Sequence, residues 1–217
     1  MKVNEIFYSI QGEGFLAGVP SVFIRLAGCP LSCNYCDTKY SRNYGDGEEL
    51  SAEQVISRVQ NYPARYVVIT GGEPMADAEM GERQGLRQLL SLLKNNDKHI
   101  TIETAGIKFL TDLPCDLMSI SPKPPAQKSI EELRLLIQNY NYQLKFVIEN
   151  ESDFAKAQEL LTQIGKYDRD KVMLMPQAAT RQQYLEKATL VAELCLAYNF
   201  AFSPRLQILL WNNTRGK

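Results

Sequence analysis

The feature that most constrains this 217-residue chain is the regular exchange of apolar strand-like runs with amphipathic helical runs. Residues 21–27 (SVFIRLA), 65–70 (RYVVIT), 99–104, 117–121, 143–149 (QLKFVIE), 172–175 and 200–210 have strand character. Between them, Ser51-Ala-Glu-Gln54 forms a capping-box pattern, and Ala52, Val55, Ile56 and Val59 share one helical face. Leu86, Leu89, Leu90 and Leu93 stripe a helix over 83–95, and Ser129-Ile-Glu-Glu132 caps another. A helix over 153–164 stops at Gly165, and one more covers 181–198. Strands separated by helices imply right-handed crossovers and a parallel sheet. Six or seven strands fall short of a closed eight-stranded barrel, which usually takes about 250 residues. The expected fold is α/β: an open, partial TIM-like barrel of about six parallel strands with flanking helices, in one domain over 1–217.

Composition removes several functions. Lysine plus arginine (24) balance aspartate plus glutamate (25), and no basic stripe argues for nucleic acid. No apolar run reaches the roughly 18 residues of a membrane span. The single histidine, His99, leaves zinc hydrolase and Ser-His-Asp chemistry without parts. A soluble, cytoplasmic protein is expected.

In parallel sheets, ligands sit at the carboxyl ends of the strands. The first strand runs straight into Cys29, Cys33 and Cys36, spaced Cys-x₃-Cys-x₂-Cys and followed by Asp37-Thr38. A closed tetrahedral metal site wants four protein ligands, and no fourth lies nearby. A zinc ribbon needs a second pair, but Cys115 and Cys195 are distant and read as core residues. A disulfide framework suits a small secreted chain. Three thiolates on a four-iron cubane leave one iron open to a small molecule. The run CPLSCNYC is similar to the hallmark of the radical S-adenosylmethionine (SAM) superfamily. The resemblance implies a 4Fe-4S cluster whose open iron is chelated by SAM.

Within that resemblance, Thr70-Gly-Gly-Glu-Pro74 resembles the superfamily's GGEP turn. The carbonyls of Gly71 and Gly72 can accept from the SAM ammonium, and Glu73 can add a charge-assisted bond. A plain strand-to-helix turn is the alternative. Glu103 and Thr104 end a strand of the kind that contacts SAM ribose or carboxylate, although a half-buried strand with an edge carboxylate reads nearly as well. Ser121, Pro122 and Lys123 suit the SAM carboxylate and ribose, Gln177 the ribose hydroxyls, and Tyr35 the adenine. Asp37 joins this cofactor-binding set.

Phe7-Tyr-Ser-Ile-Gln-Gly-Glu-Gly14 resembles the opening motif of the 7-carboxy-7-deazaguanine synthase family, as do Cys36-Asp37-Thr38, Ser121–Pro124 (SPKP) and the terminal WNNTRGK. The resemblance implies conversion of 6-carboxy-5,6,7,8-tetrahydropterin to 7-carboxy-7-deazaguanine and ammonia. One electron from the cluster cleaves SAM, and the resulting 5′-deoxyadenosyl radical takes hydrogen from C6 of the pterin. It also implies Mg²⁺ on Thr38, a carboxylate-binding Arg25, an external one-electron donor such as flavodoxin, and a homodimer. Without the family, Arg25 and Thr38 would read as a surface strand charge and a loop hydroxyl. A pterin's donor edge suits Glu13 as a forked acceptor, with Gln11 reading the adjacent group, Gly12 and Gly14 letting the loop approach the flat ring, and Thr70 touching it. The segment 1–20 is thus expected to bind substrate, and a C-terminal strand and tail are expected over 200–217. One departure is Gln207, where relatives can carry a substrate-contacting histidine. The rival readings are a glycyl-radical enzyme activase and a non-catalytic iron–sulfur electron carrier.

Overall fold

Nine strands form one sheet in the computed structural model, which describes residues 1–33, 35–124 and 130–217. Its parallel part comprises β2 (Pro20–Leu26), β4 (Tyr66–Gly71), β5 (His99–Thr104), β6 (Leu117–Ile120), β7 (Tyr142–Ile148), β8 (Val172–Pro176) and β9 (Ala201–Phe202), neighbours in that order. Because β9 has only two residues, six substantial parallel strands carry the architecture, and the sheet stays open.

Helices α1 (Ala52–Val59), α2 (Leu86–Asn95), α3 (Ile130–Asn139), α4 (Glu151–Ile164) and α5 (Arg181–Tyr198) connect the strands. The capping box at Ser51 forms: its hydroxyl accepts from Gln54 N at 3.2 Å, and Gln54 Oε1 accepts from Ser51 N at 2.8 Å. Ser129, the expected cap of α3, lies outside the described residues. Helix α2 begins three residues later than the pattern suggested, because the Arg83 side chain is drawn into the loop before it.

The strands divide their two faces sharply. Val22, Ile24, Ile69, Ile102, Met118, Leu144, Phe146 and Leu174 point toward the helices and join Leu89, Leu90, Leu133 and Leu161 in the core. The alternate residues Arg25, Thr70, Glu103, Ser119 and Lys145 face the concave side, where they border a cavity. Register aligns them, with Arg25 opposite Thr70 and Glu103 opposite Ser119. The period-two rule thus puts polar chemistry on the inner face of a sheet whose outer face is wholly buried.

Two parts of the chain depart from expectation. Residues 2–10 are a strand, β1 (Lys2–Ile10), antiparallel to β2 and flanked by β3 (Glu48–Glu49). The expected strand over 200–210 ends at Phe202. Pro204 lacks the N–H that a ladder needs, and Leu206–Trp211 forms a short helix, α6, instead. Its Ile208 packs with Ala178 and Tyr184 in a separate small core.

Leu90 is fully buried between α2 and the sheet, whereas Leu196 on α5 is 84% exposed. Leu90→Ala is expected to cost about 2–5 kcal/mol in urea unfolding, and Leu196→Ala to stay within about 0.5 kcal/mol.

Candidate active site

At the carboxyl ends of the strands lies a cavity of about 240 Å³. Cys29, Cys33 and Cys36 all border it and are partly buried. Backbone bonds from Gly28 N to Ser41 O (2.8 Å) and from Cys29 N to Arg42 O (3.0 Å) tie the start of the cysteine loop to its end. Burial pushes the Cys29 thiol up to about 11 and raises Cys33 as well, against the pull of Lys123. Both thiols are therefore protonated near neutrality, and metal loading must release protons. Among the described residues no three His, Cys, Asp or Glu side chains converge on a single ion. Three soft thiols bordering one cavity are instead a donor set suited to an iron–sulfur cluster.

The Gly71–Pro74 turn is welded to this loop. Gly72 N donates to Leu26 O at 3.0 Å and Glu73 N to Gly28 O at 2.9 Å. A Cβ on Gly72 would sit 1.8 Å from Gly28 O, so only glycine allows the contact. Gly71 and Gly72 border the cavity, but Glu73 does not. Its carboxylate is fully buried and accepts from Thr104 Oγ1 (2.7 Å), Met75 N (3.1 Å) and Ala105 N (2.9 Å). The expected bond from Glu73 to the SAM ammonium is thus corrected: the group braces two strand ends from behind. Thr104 borders the cavity, yet its hydroxyl is committed to Glu73 and Gly106 N. Arg83, which sequence reasoning placed on a helix, donates to the carbonyls of Ala27, Gly28, Glu73 and Ala76, at 2.7–3.3 Å.

Opposite the thiols sits a buried charge network centred on Glu13. Glu13 Oε2 pairs with Lys145 Nζ at 2.9 Å, and Oε1 accepts from Arg205 Nε at 3.1 Å and Gln207 Nε2 at 2.8 Å. Burial would push the Glu13 carboxyl up, but Lys145 and Arg205 hold it well below the usual carboxylate range. Lys145 also lies 3.5 Å from Glu103 Oε1, which accepts from Gln11 Nε2 at 3.2 Å. Arg205 Nη2 reaches Asp37 Oδ2, and Nη1 reaches Ala178 O at 2.6 Å. Glu13 borders the cavity with three protein donors already on its carboxylate, two on Oε1 and one on Oε2. Gly12 and Gly14 allow close protein contacts: a Cβ on Gly12, which borders the cavity, would meet Gln207 Oε1 at 1.8 Å, and one on Gly14 would meet Gln143 at 2.2 Å. Gln207 stands on α6, not on a strand, and its buried Oε1 has no partner among the described residues.

The remaining expected residues fall into two places. Thr38, Asp37, Arg25, Thr70, Gln11, Ser121 and Lys123 border the main cavity. Thr38 Oγ1 lies 3.7 Å from Cys36 Sγ, and Lys123 Nζ donates to Ser121 Oγ at 2.5 Å. Arg25, far from a surface charge, has 13% of its side chain exposed and pairs with Glu5 at 2.6 Å. Tyr35 also borders a smaller cleft of about 80 Å³ with Pro122 and Gln177. Gln177 Oε1 already accepts from Lys187 Nζ at 2.6 Å, which leaves its amide N–H groups for a ligand.

Sequence reasoning missed Lys145, Arg205, Arg83 and the tail residues Asn213–Lys217, which also border the cavity. Lys145 carried a signal, since a cation at the inward phase of QLKFVIE is otherwise hard to place on a buried strand. Arg205 and Arg83 carried none, because Arg205 reaches Glu13, Asp37 and Ala178, and Arg83 reaches loop carbonyls from Ala27 to Ala76, contacts that no local pattern encodes.

Two outcomes follow from this geometry. Gly72→Ala is expected to prevent stable cluster loading, read as the iron-to-protein ratio after anaerobic reconstitution. The depressed Glu13 pKa stabilises the fold fully above the ordinary value of 4.5 and fades as pH falls through the lower folded value. The destabilisation caused by Glu13→Gln should therefore shrink from pH 7 toward pH 4 and below in urea unfolding.

Known proteins resemble this chain over most of its length. The sequence profile of the radical SAM superfamily matches residues 23–176. The 7-carboxy-7-deazaguanine synthase of Halobacterium salinarum is 34% identical, with 98% of this chain and 91% of the relative covered. That of Pyrobaculum aerophilum is also 34% identical, covering 100% and 97%, and that of Escherichia coli K12 is 29% identical, covering 93% and 94%. The crystal structure of QueE from Escherichia coli matches with a TM-score of 0.73 at 28% identity, over 93% of this chain and 92% of that one. The chain belongs to the radical SAM superfamily and, within it, to the 7-carboxy-7-deazaguanine synthase family.

Proposed function

We propose that this chain converts 6-carboxy-5,6,7,8-tetrahydropterin to 7-carboxy-7-deazaguanine with release of ammonia, in 7-deazapurine and queuosine biosynthesis. The observation that carries the reading is that one cavity is bordered both by three thiols of a single loop and by the Gln11–Glu13 loop with its buried charges. A 4Fe-4S cluster held by Cys29, Cys33 and Cys36, with SAM on its open iron, supplies when bound the one-electron chemistry that removes hydrogen from C6 of the pterin.

The chain's own residues bind and orient. For SAM we assign the carbonyls of Gly71 and Gly72, the Ser121–Lys123 pair, and the cleft between Tyr35, Pro122 and Gln177. For the pterin donor edge the acceptor is Glu103, whose Oε2 has no partner among the described residues and whose Oε1 is fixed by Gln11 and Lys145. Glu13 acts one step back, holding Lys145, Arg205 and the Gln207 amide in place. Arg25 and Thr70, opposite each other on β2 and β4, take the substrate carboxylate and the ring. Thr38 is the candidate Mg²⁺ ligand. One protein hydroxyl suffices there, because Mg²⁺ keeps water and substrate oxygens in its shell.

An external one-electron donor such as flavodoxin is inferred from the family, as is a homodimer. Leu185 (59% exposed) and Leu196 lie three turns apart on one side of α5, an apolar face that supports the latter. No helix among the described residues is long and apolar enough to cross a membrane.

The test is anaerobic turnover of reconstituted protein with SAM, Mg²⁺, a low-potential reductant and the carboxylated pterin, followed by mass spectrometry. The expected result is 7-carboxy-7-deazaguanine without stoichiometric loss of SAM. SAM cleavage without that product would overturn the substrate and favour the activase reading, and no SAM cleavage would favour an electron carrier. Cys33→Ala should abolish both cluster and product. Glu13→Gln should keep the cluster and slow product formation about 10²-fold, the scale of a misplaced reacting geometry.

A further inference from the structure

Behind the cavity mouth, a single carboxylate gathers two guanidinium groups. Glu5 Oε1 accepts from Arg25 Nε at 2.6 Å and from Tyr40 OH at 2.8 Å, and Glu5 Oε2 accepts from Arg215 Nε at 3.0 Å. Arg215 comes from the C-terminal tail, donates also to Asn4 Oδ1 at 2.9 Å, and lies over the Tyr40 ring at 4.4 Å. The Arg25 guanidinium stands 5.9 Å from the same ring. Arg25, Tyr40 and Arg215 all border the cavity, and Glu5 stands behind them.

The charges do not cancel. Within this cluster, two guanidinium groups against one carboxylate leave one positive charge. Each guanidinium has five N–H donors in a rigid fork. Arg25 spends one on Glu5, and its remaining N–H groups find no acceptor among the described residues. Arg215 spends Nε and one Nη2 hydrogen, and its Nη1 finds no acceptor among the described residues. Planar forks with unspent donors match a carboxylate bidentately, and one monoanion would neutralise the group.

We infer that Arg215 is a specificity-determining residue, forming with Arg25 the seat for the substrate carboxylate and bringing the C-terminal tail across the cavity mouth. Glu5 and the Tyr40 ring fix both guanidinium groups before substrate arrives, so the seat costs little reorganisation on binding. The inference rests on the reaction proposed above, because it needs a carboxylate beside a flat ring.

The test compares anaerobic dissociation constants of the SAM-loaded holoenzyme for two probes: 6-carboxy-5,6,7,8-tetrahydropterin and the same reduced pterin without its carboxylate. Arg215→Gln should weaken the carboxylated probe by about 10- to 100-fold, the scale of lost charge-assisted hydrogen bonds. The uncarboxylated probe should change by less than about twofold, and Arg215→Lys should restore part of the preference. Lys39→Gln, loss of an exposed charge next to Tyr40 that does not border the cavity, should leave the preference intact. Equal weakening of both probes would make Arg215 a merely structural strap and overturn the inference, as would no weakening of either. An equal effect of Lys39→Gln would assign the preference to a diffuse positive field and also overturn it. Wild-type enzyme that binds neither probe would sink the proposed reaction itself, whereas wild-type turnover with an unchanged preference in Arg215→Gln sinks only the role of Arg215.

Discussion

An ammonium group buried on the inner face of a parallel sheet has to find anions, and Lys145 organises much of this molecule by that requirement. Its side chain is 3% exposed. The sheet offers one carboxylate, Glu103, from β5 two strands away at 3.5 Å, and the closer partner, Glu13, comes from the loop after β1 at 2.9 Å. Removing one partner of a buried pair costs about 3–5 kcal/mol, because the other is left charged and dry. The N-terminal loop is thereby held across the concave face. Its backbone follows suit: Gly14 N donates to Ser203 Oγ at 2.9 Å and Phe15 N to Gln143 Oε1 at 2.8 Å. An open sheet thus gains a wall on its unclosed side from the segment that precedes its first parallel strand.

The legibility of the sequence follows the range of the interactions. Elements defined by local periodicity were readable: β5 and α5 have the expected bounds, and the Ser51 capping box forms as its four residues suggest. The last expected strand failed, because a short apolar run such as LQILLW fits strand and helix alike and the nearby Pro204 decided against a ladder. β1 was obscured for another reason. Its KVNEIFYSI pattern mixes polar and apolar residues, since one edge-side neighbour is only the two-residue β3. At the site, motif residues were legible as positions but not as contacts. Glu73 and Glu13 looked alike, two carboxylates flanked by glycine or proline in ligand-facing loops. Only tertiary structure shows that Thr104, Met75 and Ala105 consume the first, and that Lys145, Arg205 and Gln207 consume the second.

The thiol side is built by a different device, backbone against backbone. Gly72 and Gly28 approach at a distance that no side chain permits, and Arg83 then spends its donors on four carbonyls of the two loops. Those carbonyls would otherwise be buried acceptors without donors, each costing roughly 1–3 kcal/mol. One buried cation can satisfy several of them because its fork is rigid and carries five N–H groups. The result is a cysteine loop whose entry and exit are both pinned, by Arg83 and the Gly71–Pro74 turn on one side and by Ser41 and Arg42 carbonyls on the other.

These two halves meet through Arg205. Its guanidinium reaches Glu13 with Nε and Asp37 with Nη2, and Asp37 stands directly after Cys36 in the chain. The substrate-side loop and the thiol loop therefore share one buried cation, rather than each being satisfied locally. Pairs that share a charged partner do not contribute additively, and a shift at either carboxylate changes the field and geometry at the other. A site that brings a pterin carbon up to a cluster-bound cofactor needs its two halves held at fixed separation, since misplacement of about 1 Å can cost two orders of magnitude in rate. A planar, permanently charged fork anchored additionally to Ala178 O at 2.6 Å meets that need better than two separate ion pairs, because it has a single orientation that satisfies all three acceptors.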